Sequence, residues 1–332
     1  MYQGFYGLGE LPFELTPNPK YLFLTRQHRE ALSNLQYGLF SAKAITVLIG
    51  EAGTGKTTLL HAALQSDPCR HVSCVYLNNP ALTRAEFVHV LANRFELSPR
   101  AAESKAALLP ELERSLKERR ARGEITAFVI DEAQSLSVEL LEEVRLLANI
   151  ETATEKLLPL VLAGQTELTG RLNESGLRQL KQRVNLRCEI KPFSQEETAA
   201  YIVWRVRTAG GDATRLFTRD AVRLIHEKSG GIARLINVIC DNALVTGCAL
   251  GRQPIDRAIV AEVARDFDLD GQESRDDVGS TREDGARESG DTLVDVAADE
   301  RASAAPDPPV PVDRDMFAVP VRTSRFSMFR GR

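Results

Sequence analysis

The chain has 332 residues, of which 43% are hydrophobic, so it has room for one large or two ordinary domains with a real core. It contains no apolar run of about 18 residues, and its N-terminus lacks a basic n-region and an apolar h-region, so we expect no membrane span, no signal peptide and a cytoplasmic location. The net charge of −4 is uneven, with +3 on residues 1–265 and −7 on residues 266–332, so the first part has no overall basic signature for nucleic acid.

Strand and helix patterns alternate along the first part of the chain. Near-continuous apolar runs predict strands at 44–50, 71–78, 125–131, 157–164 and 186–191. Amphipathic segments predict helices between them at 83–96, 104–122 and 137–150. Apolar strands separated by amphipathic helices are typical of a parallel sheet that is covered on both faces. The sequence therefore predicts an α/β fold with a parallel sheet flanked by helices.

The pattern becomes all helical after Phe193. Ser194 and Glu197 have the spacing of a capping box, which predicts a helix from there to about Thr208. Three further helices are predicted at 219–228, 232–248 and 255–266, separated by turns that contain glycine. This part of the sequence predicts a small helical domain appended to the α/β domain.

These patterns give three predicted regions. Residues 1–193 form an α/β domain, residues 194–267 form a helical lid domain, and residues 268–332 form a tail. The tail is rich in Asp, Glu, Ser, Gly, Ala and Pro, and it has too few large apolar residues to offset the entropy of ordering, so we predict that it is disordered. Its end, residues 322–332, carries four Arg and three large apolar residues. This end is either a solvated terminus or a segment that docks on a partner or an anionic membrane surface.

A glycine-rich loop directly follows the first predicted strand. The sequence GEAGTGKT at Gly50–Thr57 matches the P-loop pattern G-x-x-x-x-G-K-[ST] between a strand and a helix, with a structural glycine-rich turn as the alternative. Glycines let consecutive N–H groups point at a phosphate, Lys56 adds a charge near the β- and γ-phosphates, and the Thr57 hydroxyl can ligate Mg²⁺. The predicted nucleotide-binding residues are Gly50, Glu51, Ala52, Gly53, Thr54, Gly55, Lys56, Thr57 and Thr58.

Two carboxylates end the third predicted strand, in the arrangement of a Walker B motif. The apolar run Ala127–Ile130 leads into Asp131 and Glu132, about 75 residues after the P-loop. Asp131 is predicted to hold Mg²⁺, directly or through water, and Glu132 to orient and polarise the attacking water. Strands often end in acids, so this string alone is a weak signal. Together with the P-loop it predicts a site for ATP and Mg²⁺.

Several further segments resemble the sequences of one protein family. After the Walker B acids they read AQSL at 133–136, LLEEVRLLANIET at 140–152, KLL at 156–158 and VLAGQ at 161–165. Near the N-terminus they read FYGL at 5–8, PF at 12–13, LTPNP at 15–19 and HREAL at 28–32. The chain resembles, over roughly residues 1–267, the AAA+ ATPases of the general secretion pathway protein A family. The resemblance extends to ATPases of exopolysaccharide and exosortase systems and, more distantly, to AAA+ regulators of transposition.

The resemblance implies an AAA+ P-loop NTPase fold and roles for five more residues. Gln165 matches the sensor-1 position, which touches the γ-phosphate or the water, although it could instead cap the next helix. Arg178 and Arg183 match the region that supplies an arginine finger to the neighbouring subunit, and we favour Arg183. Arg234, in a G-x-x-R at the start of a lid helix, matches sensor 2. By sequence alone, a solvated surface charge is the more common role for each of these arginines. His28 matches a position near the adenine, with a surface or capping residue as the alternative.

The combined prediction is an ATPase that binds ATP and Mg²⁺ between the subunits of a ring or filament and uses water as the nucleophile. It would serve a protein partner in secretion, envelope assembly or exopolysaccharide export. A DNA-binding regulator of transposition type and a nucleotide-dependent assembly switch are the alternatives, and the near-neutral charge argues against the first of these. Family members often continue into a membrane span and a cell-wall-binding domain. This sequence has neither, so we expect it to act through a partner, in the cytoplasm or peripheral to the inner membrane.

Overall fold

The computed structural model describes residues 2–16, 18–78 and 81–269, and within them five strands form one parallel sheet. The strands are β1 Ile45–Gly50, β2 Val72–Leu77, β3 Ile125–Ile130, β4 Leu160–Gly164 and β5 Val184–Ile190. Their order is β2-β3-β4-β1-β5, and each neighbouring pair is parallel. All five predicted strands are present, with ends within three residues of the predicted ones. Of the predicted tail, residues 270–332 lie outside the described residues.

Helices surround this sheet and continue beyond it. In chain order they are α1 Gln3–Tyr6, α2 Arg26–Phe40, α3 Lys56–Gln65, α4 Arg84–Arg94, α5 Lys105–Ala121, α6 Val138–Leu147, α7 Glu167–Leu172, α8 Arg178–Lys181, α9 Gln195–Thr208, α10 Ala213–Leu216, α11 Arg219–Ser229, α12 Ala233–Ala249 and α13 Arg257–Asp266. The seven helices predicted from periodicity correspond to α4, α5, α6, α9, α11, α12 and α13. The predicted fold class is confirmed.

Two apolar layers cover the sheet because strand side chains alternate between its faces. From β1, Val47 faces a layer built by α4, α5 and α6, whereas Leu48 faces a layer built by α2 and α3. Every residue of β1 is buried, since β1 has a strand on each side and helices on both faces. The edge strands β2 and β5 expose part of their length. The buried sheet is therefore a rigid base that holds the ends of its central strands in place.

The sequence analysis gave no helix before β1, and α2 corrects this omission. Thr25 caps the helix by accepting a hydrogen bond from the backbone N–H of His28. Ala31, Leu35 and Leu39 are buried at four-residue spacing, which places them on one face against the sheet. That periodicity is present in the sequence, but the segment was interpreted only as a family signature.

The helices α9–α13, which we call the C-terminal bundle, have a separate core that includes the N-terminal segment. Tyr2, Tyr6 and Phe13 are buried in this core, and the Tyr6 hydroxyl donates to the carbonyl oxygen of Leu244 at 3.1 Å. The buried guanidinium of Arg205 donates to the carbonyl oxygens of residues 12 and 14. The predicted boundaries group this segment with the sheet, but its side chains pack with the bundle. The boundary at residue 193 stays a prediction.

In the part of the chain that the structure describes, no helix combines the length and apolar character needed to cross a bilayer.

Candidate nucleotide-binding site

The P-loop, the Walker B acids and Gln165 lie together at the carboxyl ends of the strands. Parallel strands all end at the same edge, so the loop after β1, the acids after β3 and the glutamine after β4 come together there. A cavity of about 390 Å³ opens beside them. Residues 52–59 and Glu132 line one side of it, and Phe193, Tyr201 and Arg234 line the other. The site therefore lies between the sheet and the C-terminal bundle.

The backbone of the P-loop has a shape that only glycine adopts without strain. Gly53 and Gly55 have φ angles of 82° and 96°, in the left-handed region. A Cβ atom on Gly50 would lie 2.7 Å from the carbonyl oxygen of Ile190. Gly55 is also the N-cap of α3, and no side chain caps that helix. The first N–H groups of α3 are therefore available to an anion, on the positive end of the helix dipole.

Lys56 lies buried at the centre of this loop. Its ammonium group donates to the carbonyl oxygens of Gly50 at 2.8 Å and Glu51 at 2.9 Å. Burial lowers the pKa of Lys56, while the nearby carboxylates of Glu132 and Asp131 oppose that shift. The lysine is thus held near both Walker B acids.

Asp131 contacts the P-loop directly. The Thr57 hydroxyl donates to Asp131 Oδ2 at 3.0 Å, and the phenol of Tyr76 donates to the same oxygen at 2.8 Å. The two predicted metal residues are therefore adjacent. Hydroxyl and carboxylate oxygens are hard ligands, and Mg²⁺ at nucleotide sites uses one or two such groups with phosphates and waters, so this donor set fits Mg²⁺. Sequence reasoning missed Tyr76.

Two amides hold Glu132. Its Oε2 accepts from Gln134 Nε2 at 2.5 Å and from Gln165 Nε2 at 3.2 Å, while Gln134 Oε1 accepts from the backbone N–H of Gln165 at 3.0 Å. The hydrogen bonds from Gln134 and Gln165 and the charge of Lys56 hold the pKa of Glu132 below its usual value, although burial opposes them. The structure thus brings the predicted sensor Gln165 to the predicted catalytic acid. Gln134 was missed, although its place two residues after the acid was visible.

The absence of a side chain at Gly164 leaves space for the amide of Gln134. A Cβ atom on Gly164 would lie 2.7 Å from Gln134 Oε1, so a side chain there would push the amide away. The guanidinium of Arg171 donates to the carbonyl oxygens of Gln134 and Leu136, which fixes the turn after Glu132. Glu132 itself has a φ of 53°, which is uncommon for a residue with a side chain.

Arg234 connects the C-terminal bundle to the P-loop. Its backbone N–H donates to the carbonyl oxygen of Gly53 at 3.1 Å, and the residue lines the cavity. Just before it, Gly231 accepts a hydrogen bond from the N–H of Phe193 at 2.9 Å. A Cβ atom on Gly231 would lie 2.1 Å from the carbonyl oxygen of Phe193. The start of α12 is therefore fixed against both the loop and the end of β5.

His28 is buried beside the cavity rather than exposed at the surface. Its Nδ1 lies 2.8 Å from the Thr25 hydroxyl, and its ring centroid lies 5.5 Å from that of Phe193. Burial lowers the pKa of His28, and a hydrogen bond to the backbone of Thr54 opposes that shift. The histidine therefore joins the start of α2 to the P-loop.

Comparison with known proteins gives the family. Residues 40–172 match the family model described as AAA domain. General secretion pathway protein A of Aeromonas hydrophila is 41% identical over 256 residues, which are 77% of this chain and 46% of that protein. The chain belongs to the AAA+ ATPases. It spans about half the length of this curated relative, to whose family the sequence analysis compared it.

Solved structures support the same fold for this AAA+ ATPase. The ORC2 protein of Aeropyrum pernix, solved as ADPNP-ADP complexes, has a TM-score of 0.58 and 17% identity, covering 76% of this chain and 71% of that one. The Cdc6p protein of Pyrobaculum aerophilum has a TM-score of 0.59 and 19% identity, covering 77% and 70%. At this identity the likeness concerns the fold alone.

The two arginines that match the finger region lie outside the cavity of this AAA+ ATPase. Arg178 is exposed at the start of α8, and Arg183 is half-buried just before β5. Lys156 and, less strongly, Arg183 lower the pKa of Glu151, which places Arg183 near that acid. Neither arginine lines the site of its own chain, whereas Arg234 does.

Proposed function

We propose that this AAA+ ATPase binds ATP with Mg²⁺ in the cavity beside the P-loop and hydrolyses the nucleotide by attack of water. The observation that carries this proposal is the convergence of the P-loop with the Walker B acids. Thr57 contacts Asp131 at 3.0 Å, and Lys56 lies close enough to Glu132 for each charge to affect the other's pKa.

Each residue has a role that follows from its chemistry. Lys56 and the N–H groups at the start of α3 bind the phosphates. Thr57 and Asp131 would hold Mg²⁺, which supplies positive charge to the phosphate oxygens. Glu132 is kept ionised by its amide partners, so it can accept a hydrogen bond from the attacking water and align it with the γ-phosphorus.

Further groups would act on the developing charge. Gln165, which contacts Glu132, would touch the γ-phosphate or the water. Arg234 would reach the phosphates from the bundle side. Arg183, or Arg178 in its place, would come from the neighbouring subunit of a ring or filament, because neither lies at the cavity of its own chain.

The first test uses two site variants and measures binding and turnover separately. Lys56→Ala should lose ATP binding, because the phosphates lose their main positive charge. Glu132→Gln should bind ATP but turn it over on the order of 10²–10⁴-fold more slowly. Glu139→Gln, an exposed acid at the start of α6, is the matched control and should behave as the wild type. Turnover near the wild-type rate in Glu132→Gln would disprove its catalytic role.

We further propose that hydrolysis serves a protein partner in secretion, envelope assembly or exopolysaccharide export. The 41% identity to general secretion pathway protein A supports this assignment. Since ATP is supplied from the cytoplasm, the partner would be met there or at the inner membrane. In a strain that lacks this chain, the wild-type chain should restore export and Lys56→Ala should not. Equal restoration by both would show that nucleotide binding is dispensable for that process.

A further inference from the structure

Tyr76 lies outside both nucleotide motifs, yet it contacts the Walker B acid. It is near the end of β2, where it pairs with Val129 of β3. Its hydroxyl donates to Asp131 Oδ2 at 2.8 Å, and the hydroxyl of Thr57 donates to the same oxygen at 3.0 Å. The other oxygen, Oδ1, accepts the backbone N–H of Glu132 at 3.0 Å. Three donors therefore fix both the position and the rotation of this carboxylate.

The number of protons on these groups determines which way each hydroxyl points. A hydroxyl has one proton, and a carboxylate oxygen has about two acceptor sites, so the two hydroxyls fill Oδ2. The Thr57 hydroxyl donates its one proton to Asp131. The lone pairs of the Thr57 oxygen therefore point away from that acid and can bind a cation. A phenol is protonated at neutral pH, so Tyr76 acts as a hydrogen-bond donor to Asp131.

We propose that Tyr76 is a positioning residue for the metal site. By holding Asp131, it keeps Oδ2 turned toward Thr57 and thereby keeps the lone pairs of the Thr57 oxygen available to a magnesium ion on the phosphates. Asp131 then acts on this site through the hydrogen bond that it accepts from Thr57. The inference rests on the proposed binding of ATP with Mg²⁺ and adds a residue from β2 to that site.

The test is the Mg²⁺ requirement of nucleotide binding in Tyr76→Phe, which keeps the ring and removes the donor. Binding of a fluorescent, non-hydrolysable ATP analogue is titrated with Mg²⁺ and is also measured without divalent metal. The Mg²⁺ concentration at half-effect should rise about tenfold, because loss of a group that orients a metal ligand costs about 10–100-fold in metal affinity. Metal-free affinity should stay within about twofold of the wild type. Tyr37→Phe, whose ring is exposed on α2, is the matched control and should change neither value.

A second comparison tests whether Tyr76 acts through Asp131 or through a general effect on the fold. In an Asp131→Asn background, adding Tyr76→Phe should change the Mg²⁺ requirement little, since the carboxylate it positions is gone. An unchanged Mg²⁺ requirement in Tyr76→Phe, an equal loss of metal-free affinity, or full additivity with Asp131→Asn would each overturn the inference while leaving the proposed function intact. Failure of the wild type to bind the analogue at any Mg²⁺ concentration would overturn both.

Discussion

Gln134 joins two neighbouring strand ends through the two ends of one amide. Its Nε2 donates to Glu132 after β3, and its Oε1 accepts from the N–H of Gln165 after β4. Glu132, the proposed catalytic acid, and Gln165, the proposed sensor, therefore cannot shift independently. A hydrogen bond to a charged group contributes about 1.5–3 kcal/mol, so this contact is strong enough to set the rotamer of Glu132.

Replacement of this amide should affect turnover more than binding. Gln134→Leu removes the donor to Glu132 and leaves the N–H of Gln165 without its partner, so we expect kcat to fall about 10–100-fold with little change in KM for ATP. Steady-state ATPase assays measure both values. Gln182→Leu, an exposed glutamine after α8, is the control and should retain wild-type kinetics. A raised KM with unchanged kcat would assign Gln134 to nucleotide binding instead.

Among the elements, the start of α12 is notable because the backbone just before it packs closely against the backbone of Phe193. Gly231 has a φ of 77°, and its Cα faces the carbonyl oxygen of Phe193. The adjacent Gly230 has a φ of 57°, but a Cβ atom there would meet no heavy atom within 4 Å. The two glycines therefore share a left-handed backbone and differ in the space around them.

This difference makes a matched pair of variants. Gly230→Ala adds only the cost of a left-handed residue, about 1–2 kcal/mol, which lowers Tm by a few degrees, about 2–4 °C for each kcal/mol. Gly231→Ala adds a collision with the Phe193 carbonyl, so its Tm should fall at least twice as far, and ATP affinity should weaken because Arg234 is displaced from Gly53. Thermal unfolding and ATP titration measure the two effects. Equal losses for both variants would mean that the contact with Phe193 does not matter.

The basic end of α5 bears on the DNA-binding alternative. Lys117 pairs with Glu113 at 2.6 Å, Arg120 pairs with Glu155 at 2.5 Å, and Arg122 lies 3.3 Å from Glu124. Acids of the same chain therefore partly neutralise this cluster, and they would repel a phosphate backbone.

Duplex DNA should accordingly leave ATP turnover unchanged at about 150 mM salt, where screening weakens non-specific contacts. ATPase assays with and without duplex measure this, and repetition at low salt shows whether any binding is electrostatic. A several-fold stimulation at the higher salt would favour a regulator of transposition type.

At the scale of the whole molecule, one chain supplies most of the proposed site, but Arg178 and Arg183, the two candidate finger arginines, lie elsewhere. Arg183 precedes β5 and lies near Glu151, away from the cavity. An arginine supplied in trans to the γ-phosphate is worth about 10³–10⁵ in rate. A complete site would then need a second copy of the chain.

Subunit mixing tests this shared site. Arg183→Ala should bind ATP normally but hydrolyse it poorly, and wild-type specific activity should rise with protein concentration. Mixing Arg183→Ala with Glu132→Gln should restore some turnover, because an Arg183→Ala subunit keeps Glu132 and can receive its neighbour's arginine. Activity that is independent of concentration, together with no recovery on mixing, would contradict sharing. Recovery with Arg178→Ala but not with Arg183→Ala would move the finger to Arg178.

The sequence was sufficient to predict the features that depend on residues close together along the chain. The strands, the P-loop and the Walker B acids each lie in one short segment, where period and residue type are sufficient. The contacts of Tyr76 with Asp131 and of Gln134 with Gln165 could not be assigned in this way, because they depend on strand order: β3 lies between β2 and β4, while β1 lies on the far side of β4. The packing of Tyr2, Tyr6 and Phe13 with the C-terminal bundle joins segments far apart in the chain, and periodicity carries no information about such pairs.

That packing has a consequence for the order in which the protein is made. Tyr2, Tyr6 and Phe13 leave the ribosome before the strands of the sheet, whereas α9–α13, the bundle that buries them, leaves after those strands. The sheet can assemble while these aromatic side chains still lack their final neighbours. The contacts that complete the bundle also have the longest sequence separation in the fold, so loop closure makes them late and slow. During synthesis, these aromatic side chains therefore stay exposed until the bundle is complete, and they need protection from aggregation in that interval.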